Sequence, residues 1–335
     1  MTLVLCAVVF LFSLWLTALI RRFALARQIL DVPNHRSSHT SPTPRGGGIA
    51  FVVALFAGLC LGAWGGLVSV EALQAFLFPG VIVAFLGAVD DRSHIPARWR
   101  LAGHFVAATL AVYLIGGFPA LRFGESTYDL GIWGDLFSVL FLVWMTNLYN
   151  FMDGIDGIAA GQAVTVGVGF AVLLASMGTP AIIPESLLLS AAVAGFLCWN
   201  FPFAKIFMGD AGSGFLGLGL GILTLLCARL EPNLFWCGLL LSGVFIVDAT
   251  LTLFWRIASG KKFYEAHRSH GYQIAARRLE GHWKVTAAVF AINVLWLLPI
   301  AWSIGAGALQ GWLGLLLGYC PLILLDQLLK AGRQP

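Results

Sequence analysis

The chain has 335 residues, 59% of them hydrophobic and 11% charged, with a formal charge of +4 and a mean hydropathy of +0.88. This composition excludes a soluble globular domain and points to an integral membrane protein. The small positive charge reflects membrane topology rather than nucleic-acid binding, because the basic residues lie almost entirely on one side.

A bilayer core takes about 20 apolar residues per helix. In chain order the apolar runs predict eleven transmembrane helices, at 3–20, 48–69, 72–89, 99–116, 132–149, 159–176, 184–201, 212–228, 234–255, 285–303 and 306–329, and hence an all-α polytopic fold. The first run has no basic residue before it and Arg21 and Arg22 after it, the reverse of a secretory leader, so it is expected to remain as a helix with its N-terminus outside. Alternation then puts 21–47, 90–98, 150–158, 202–211, 256–284 and the tail after 329 in the cytoplasm. With span-end residues assigned to the nearer side, 18 of the 20 Lys and Arg fall inside, and only Arg122 and Arg229 fall outside. That asymmetry supports the orientation. The six cysteines lie in apolar runs without a CxxC spacing and read as small packing residues. No long linker divides the sequence, so 1–335 is expected to form one transmembrane domain.

The outside loops are short or plain, and the chemistry gathers inside. Five segments, 33–48, 89–98, 147–158, 200–214 and 256–284, bring acids, amides, histidines, arginines and glycines to one face. PTPRGGG places Arg45 beside three glycines, a pattern that suits either phosphate contact or a tight entry into the membrane. Asp90 and Asp91 end the third span, where adjacent acids repel unless a cation or basic group neutralises them. NLYNFMDGIDG carries Asn147, Asn150, Asp153 and Asp156 at every third position. On a helix, adjacent members of that series share a face while the full set drifts apart, which suits a helix end unwinding into a loop. Carboxylates at that depth are costly, and irregular backbone there is tolerated where it lines a polar cavity.

FMGDAGSG holds Asp210 among small residues, and the N-terminus of the following helix is expected to be able to hold phosphate oxygens. Oxygen donors from several loops, with positions left for water and phosphate, suit Mg²⁺ rather than Zn²⁺. Phe207, three residues earlier, could stack on a planar base. The last loop supplies Lys261, Lys262, His267, Arg268 and His270, donors suited to anionic oxygens.

NLYNFMDGIDG, VDDR, FMGDAGS and HRSH together resemble the polyprenyl-phosphate N-acetylhexosamine-1-phosphate transferases, and the likeness runs in order from PTPRGGG to the loop after the ninth span. The resemblance implies a multi-pass enzyme of the bacterial inner membrane with its active site facing the cytoplasm. There a polyprenyl phosphate would attack the β-phosphorus of a UDP-N-acetylamino sugar and release UMP. It implies Mg²⁺, for which Mn²⁺ can substitute, contacted by Asp210 and the Asn150 amide. Asp153 and Asp156 would shape the catalytic loop, and Asp90 and Asp91 match the acidic pair assigned to lipid-phosphate activation. Phe207 matches the uracil-stacking position. Arg45, Asn147, His267, Arg268 and His270 complete the substrate contacts. Membrane lipid and a homodimer are the further partners it admits.

Two features bear on the sugar. The peptidoglycan translocases carry a lysine where this chain has His94, and three histidines where it has HRSH. This form resembles the O-antigen and exopolysaccharide initiators, and suggests UDP-GlcNAc or a 6-deoxy relative such as UDP-FucNAc or UDP-QuiNAc. An ion-coupled secondary transporter is the rival reading, because intramembrane acids such as Asp248 also mark ion pathways. A CDP-alcohol phosphotransferase is disfavoured, since its DGxxAR signature would require arginine where Gly161 stands.

Overall fold

The computed structural model describes residues 1–33, 41–93, 95–260 and 267–333; His94, Lys261 and Lys262 lie outside them. The described chain is a helical membrane bundle with little sheet. Helix α1 (Thr2–Ala26) is followed by two short strands, β1 (Leu30–Asp31) and β2 (Thr43–Pro44), that pair antiparallel. Then come α2 (Gly48–Trp64), α3 (Val70–Ser93) and α4 (Ala97–Ile115), a hairpin of β3 (Leu121–Phe123) and β4 (Ser126–Tyr128), and α5 (Gly131–Met152). Helices α6 (Ile158–Ser176), α7 (Ile183–Asn200) and α8 (Asp210–Leu230) lead to the pair α9 (Asn233–Leu241) and α10 (Gly243–Ala258). The chain ends with α11 (Gly271–Arg278), α12 (His282–Ile292), α13 (Leu298–Gly305) and α14 (Gly311–Leu329).

Every expected apolar run coincides with a helix or a pair of helices. Among the described residues, eight helical segments are long and apolar enough to cross a bilayer, or nine if α9 and α10 form one span. The difference from eleven has local causes. Helix α2 is apolar but only 17 residues long, and α4 carries Arg98, Arg100 and His104 in its N-terminal half.

The expected continuous span at 234–255 is bent by 70° between α9 and α10. A Ser242–Gly243 junction is a common cause of such a kink. At the break, the buried carbonyl of Leu241 accepts from Gln162 Nε2 at 2.8 Å. Gln162 Oε1 in turn accepts from Asn293 Nδ2 at 2.6 Å, at the start of a π-helical turn (Asn293–Leu297) joining α12 to α13. Neighbouring side chains thus satisfy a broken backbone that lipid could not.

Helix α8 is the hub. In its apolar stretch 94% of the residues are buried inside the protein, against 17% for α1. It packs on α2, α3, α5 and α9, and glycines along it allow close approach. In lipid, where van der Waals packing rather than water exclusion joins helices, small residues at contacts matter most. The outer helices turn Leu3, Leu11, Trp15, Leu317 and Leu328 outward, an apolar surface suited to hydrocarbon.

A side chain at Gly217 would meet the Met145 carbonyl oxygen at 2.1 Å, whereas one at Gly219 would meet Phe76 at an ordinary 3.7 Å. Gly217→Ala is therefore expected to lose about 1–3 kcal/mol through overpacking, and Gly219→Ala to be neutral or slightly stabilising. Thermal unfolding of both variants in the same detergent checks this; equal melting of the two would contradict the packing.

Candidate active site

The described residues of the five polar segments meet at one end of the bundle. The loop before α2 runs alongside the loop before α8: Pro44 O accepts from Phe207 N at 2.8 Å, and Phe207 O and Met208 O accept from Gly47 N at 2.9 Å and Gly48 N at 2.8 Å. A Cβ on Gly48 would lie 2.4 Å from Gly212 Cα, so only glycine lets the two helix starts touch. This zipper delivers Arg45 to the acids. Its Nη2 is 2.8 Å from Asp210 Oδ1 and 2.9 Å from Asp91 Oδ1.

Asp91 has a second task. Its carboxylate accepts from Asp210 N at 2.9 Å and from Ala211 N at 3.4 Å, the first amides of α8. The expectation that this helix end cradles phosphate is corrected here, because a protein carboxylate already occupies the positive end of the helix dipole. Asp90 is buried behind it, paired with Arg100 and accepting from Ile95 N at 2.6 Å. Arg100 also approaches Asp210 Oδ2 at 3.5 Å. The adjacent acids thus take separate basic partners, Asp90 with Arg100 and Asp91 with Arg45.

Helix α5 carries Asn147 and Asn150 in its last two turns and ends at Met152, so Asp153 and Asp156 fall in the unwound turn. Asn150 Nδ2 donates to Ser213 Oγ at 3.0 Å, which leaves the amide oxygen as its electron-pair donor. Asn147 Nδ2 donates to Val143 O at 2.7 Å, and its side chain borders a small recess with Arg100 and His104. Asp156 pairs with His282 Nδ1 at 3.3 Å. Asn200, buried, clamps the turn from below: its Oδ1 accepts from Gly157 N at 2.9 Å and its Nδ2 donates to Ile206 O at 3.0 Å.

A polar cavity of about 190 Å³ is lined by Arg45, Asn150, Asp153, Asp156, Phe207 and Asp210, with Asp31, Ser213, Gln273 and His282. It shares Asp156, Phe207, Gln273 and His282 with a wider one of about 650 Å³, whose wall includes Phe203, Arg268, Arg277, Glu280 and Trp283. Of the HRSH group, Arg268 reaches this wall. His270 does not: it is buried and hydrogen-bonded to Asp248 at 3.1 Å. His267 stacks on it with ring centroids 4.9 Å apart. Sequence patterns did not single out Asp31, Arg100, His104, Asn200, Gln273 or His282.

The donors suit Mg²⁺. Asp210 and the Asn150 amide supply oxygens beside Asp153, which faces the cavity while burial pushes its carboxyl well above the usual range; the Asp210 charge adds to this and Arg45 opposes it. Such a carboxylate is better matched by a cation. Among the described residues no three His, Cys, Asp or Glu side chains form a complete metal cage. Mg²⁺ does not need one, since it keeps waters and takes phosphate oxygens.

Residues 73–228 match glycosyl transferase family 4. The chain is 32% identical over 259 residues to a probable undecaprenyl-phosphate N-acetylglucosaminyl 1-phosphate transferase of Bacillus subtilis, covering 76% of this chain and 72% of the relative. The chain belongs to this family, the polyprenyl-phosphate N-acetylhexosamine-1-phosphate transferases. It is also 31% identical over 224 residues to a decaprenyl-phosphate N-acetylglucosaminephosphotransferase of Mycolicibacterium smegmatis, covering 61% of this chain and 55% of that relative. With the phospho-N-acetylmuramoyl-pentapeptide-transferase of Leuconostoc citreum it shares 32% identity over 230 residues, covering 64% of this chain and 70% of the relative. Family membership supports phosphosugar transfer and gives the transporter reading no support.

Asn200→Leu would leave Gly157 N–H and Ile206 C=O without their partner, at a cost of about 1–3 kcal/mol for each buried group. The variant is expected to melt lower in detergent and to turn over more slowly. Melting like that of the parent protein would remove the clamp.

Proposed function

We propose that the protein transfers an N-acetylamino-sugar 1-phosphate from a UDP-sugar to a polyprenyl phosphate, undecaprenyl phosphate in a bacterium, and releases UMP. The whole chain would then act as one catalytic membrane domain that begins lipid-linked synthesis of a cell-surface polysaccharide such as O-antigen. The observation that carries this reading is the continuous pair of cavities joining Asp210 and Arg45 to Phe207 and Arg268. An acidic floor for a cation, a cationic wall and an aromatic ring are what a nucleoside diphosphate sugar requires. The distribution of 18 of 20 basic residues supports an inner-membrane protein whose site faces the cytoplasm.

Arg268 and Arg45 would bind and orient the phosphates, and Phe207 would stack on the base. A lipid phosphate oxygen attacks the β-phosphorus, the bond from that phosphorus to the bridging oxygen breaks, and UMP departs with the electron pair. The acceptor's second pKa is roughly 6 by analogy with phosphorylated side chains, so it arrives largely ionised and no proton has to be removed. This agrees with Asp90 and Asp91 being engaged by Arg100, Arg45 and the start of α8. Their role is to hold the site's charges in register, because phosphoryl transfer depends mainly on positioning and electrostatics. Mg²⁺, or Mn²⁺ in its stead, would be held by Asp210 and the Asn150 oxygen near Asp153, and when bound it neutralises the pyrophosphate. The HRSH sequence favours N-acetylglucosamine or a 6-deoxy relative over a peptide-bearing sugar.

In membranes supplied with lipid phosphate, UDP-sugar and Mg²⁺, Asp210→Ala is expected to abolish UMP release while the protein still accumulates, and excess chelator is expected to silence the parent protein. Wild-type turnover in either case would remove the metal assignment. Phe207→Ala should raise KM for the nucleotide sugar more than for the lipid. Exchange of radiolabelled UMP across a panel of UDP-sugars identifies the donor, and exchange with none of them would refute the reaction.

A further inference from the structure

Asp248 belongs to none of the motifs that line the cavities. It lies within the apolar helix α10 and is buried, where a carboxylate is costly unless donors surround it. Four do. Oδ1 accepts from Gly271 N at 2.9 Å, from Thr252 Oγ1 at 3.1 Å and from His270 Nδ1 at 3.1 Å, and Oδ2 accepts from Tyr272 N at 2.8 Å. Two of these are the first amides of α11, so a carboxylate from another helix caps it and complements its dipole.

The consequences reach both cavities. His270 N donates to Gln273 Oε1 at 3.4 Å, and Gln273 lines both. Arg268, two residues before His270, lies on the wider wall. Tyr272 carries the restraint across the site, its hydroxyl donating to Phe151 O at 3.0 Å, next to the turn that holds Asp153. From the opposite side α14 closes on the same point. A Cβ on Gly271 would lie 2.2 Å from Asp326 Oδ1, and Gly332 N donates to Ser269 O at 2.8 Å. The segment 267–273 is therefore fixed at its base, and only its outer side chains face the cavity.

We propose that Asp248 is the positioning residue of the donor side: by holding His270 and the start of α11 it fixes Arg268 and Gln273 at the wall where the nucleotide sugar binds. This rests on the donor occupying the wider cavity. Asp248→Asn is nearly isosteric and keeps an oxygen for the α11 amides, but it cannot serve all four donors.

The expected result is a fall of about 10- to 100-fold in kcat/KM for the nucleotide sugar, the size of effect that a displaced binding group produces, with KM for the lipid unchanged. The deciding measurement is a double-mutant cycle with Arg268→Ala. If Asp248 acts by positioning Arg268, adding Asp248→Asn to Arg268→Ala costs little more. Penalties that multiply, or an Asp248→Asn enzyme with parental kinetics, overturn the proposal. Arg268→Ala with parental donor kinetics instead overturns the donor-site reading itself, and this proposal with it. Should Asp248→Asn fail to accumulate, Gly271→Ala displaces the same contact from the α14 side and is expected to give the same selective donor defect; a defect shared equally by lipid and donor would overturn the proposal.

Discussion

The Asp91 carboxylate is the constraint on which the site depends. It lies where three independent requirements intersect: the N-terminus of α8 needs an acceptor, Arg45 needs a counter-charge, and Asp91 itself, beside Asp90 and Asp210, needs donors to offset the crowding of acids. Each partner comes from a different part of the chain. Satisfying them together brings α3, the loop before α2 and the start of α8 to one point. Because an unpaired charge here would be far more costly than a surface one, the arrangement tolerates little drift.

Packing makes that convergence possible. The small residues along α8 let it serve as the axis of the bundle, and the Gly48–Gly212 contact lets the Arg45 loop approach within hydrogen-bonding distance of the acids. The unwound turn after α5 is held by Asn200 below and His282 at the side. Its acids thus face a cavity instead of solvent. Rigid helix ends surround a polar opening in an otherwise apolar protein, an arrangement suited to gripping charged groups.

Parts of this were legible in the residues themselves. Asn147, Asn150, Asp153 and Asp156 stood out because four polar groups at regular spacing in an apolar chain have no use in lipid. The change from helix to turn within that motif follows from the glycines after Asp153 and Asp156. Arg100 and His104 were hidden because near a helix end they look like ordinary positive-inside residues. Asn200, Gln273 and His282 carry no local pattern, and their importance lies in contacts with segments up to 126 positions away. Asp248 was visible as an anomaly but its partners were not, and His270 resembled a substrate contact until its burial against Asp248 was seen.

By itself the sequence determined the environment and the helices, because an apolar run long enough to span lipid must satisfy its own backbone. It also showed that the polar segments fall between the same ends of the apolar runs, and which side chains could not go without partners. Only the tertiary structure decided which partners they took. It assigned Asp91 to a helix end rather than to the cavity, bent one expected span at Ser242, and turned Arg268 outward while turning His270 in. Those outcomes depend on which helices pack against which, a matter of shape complementarity between distant segments that local composition does not encode.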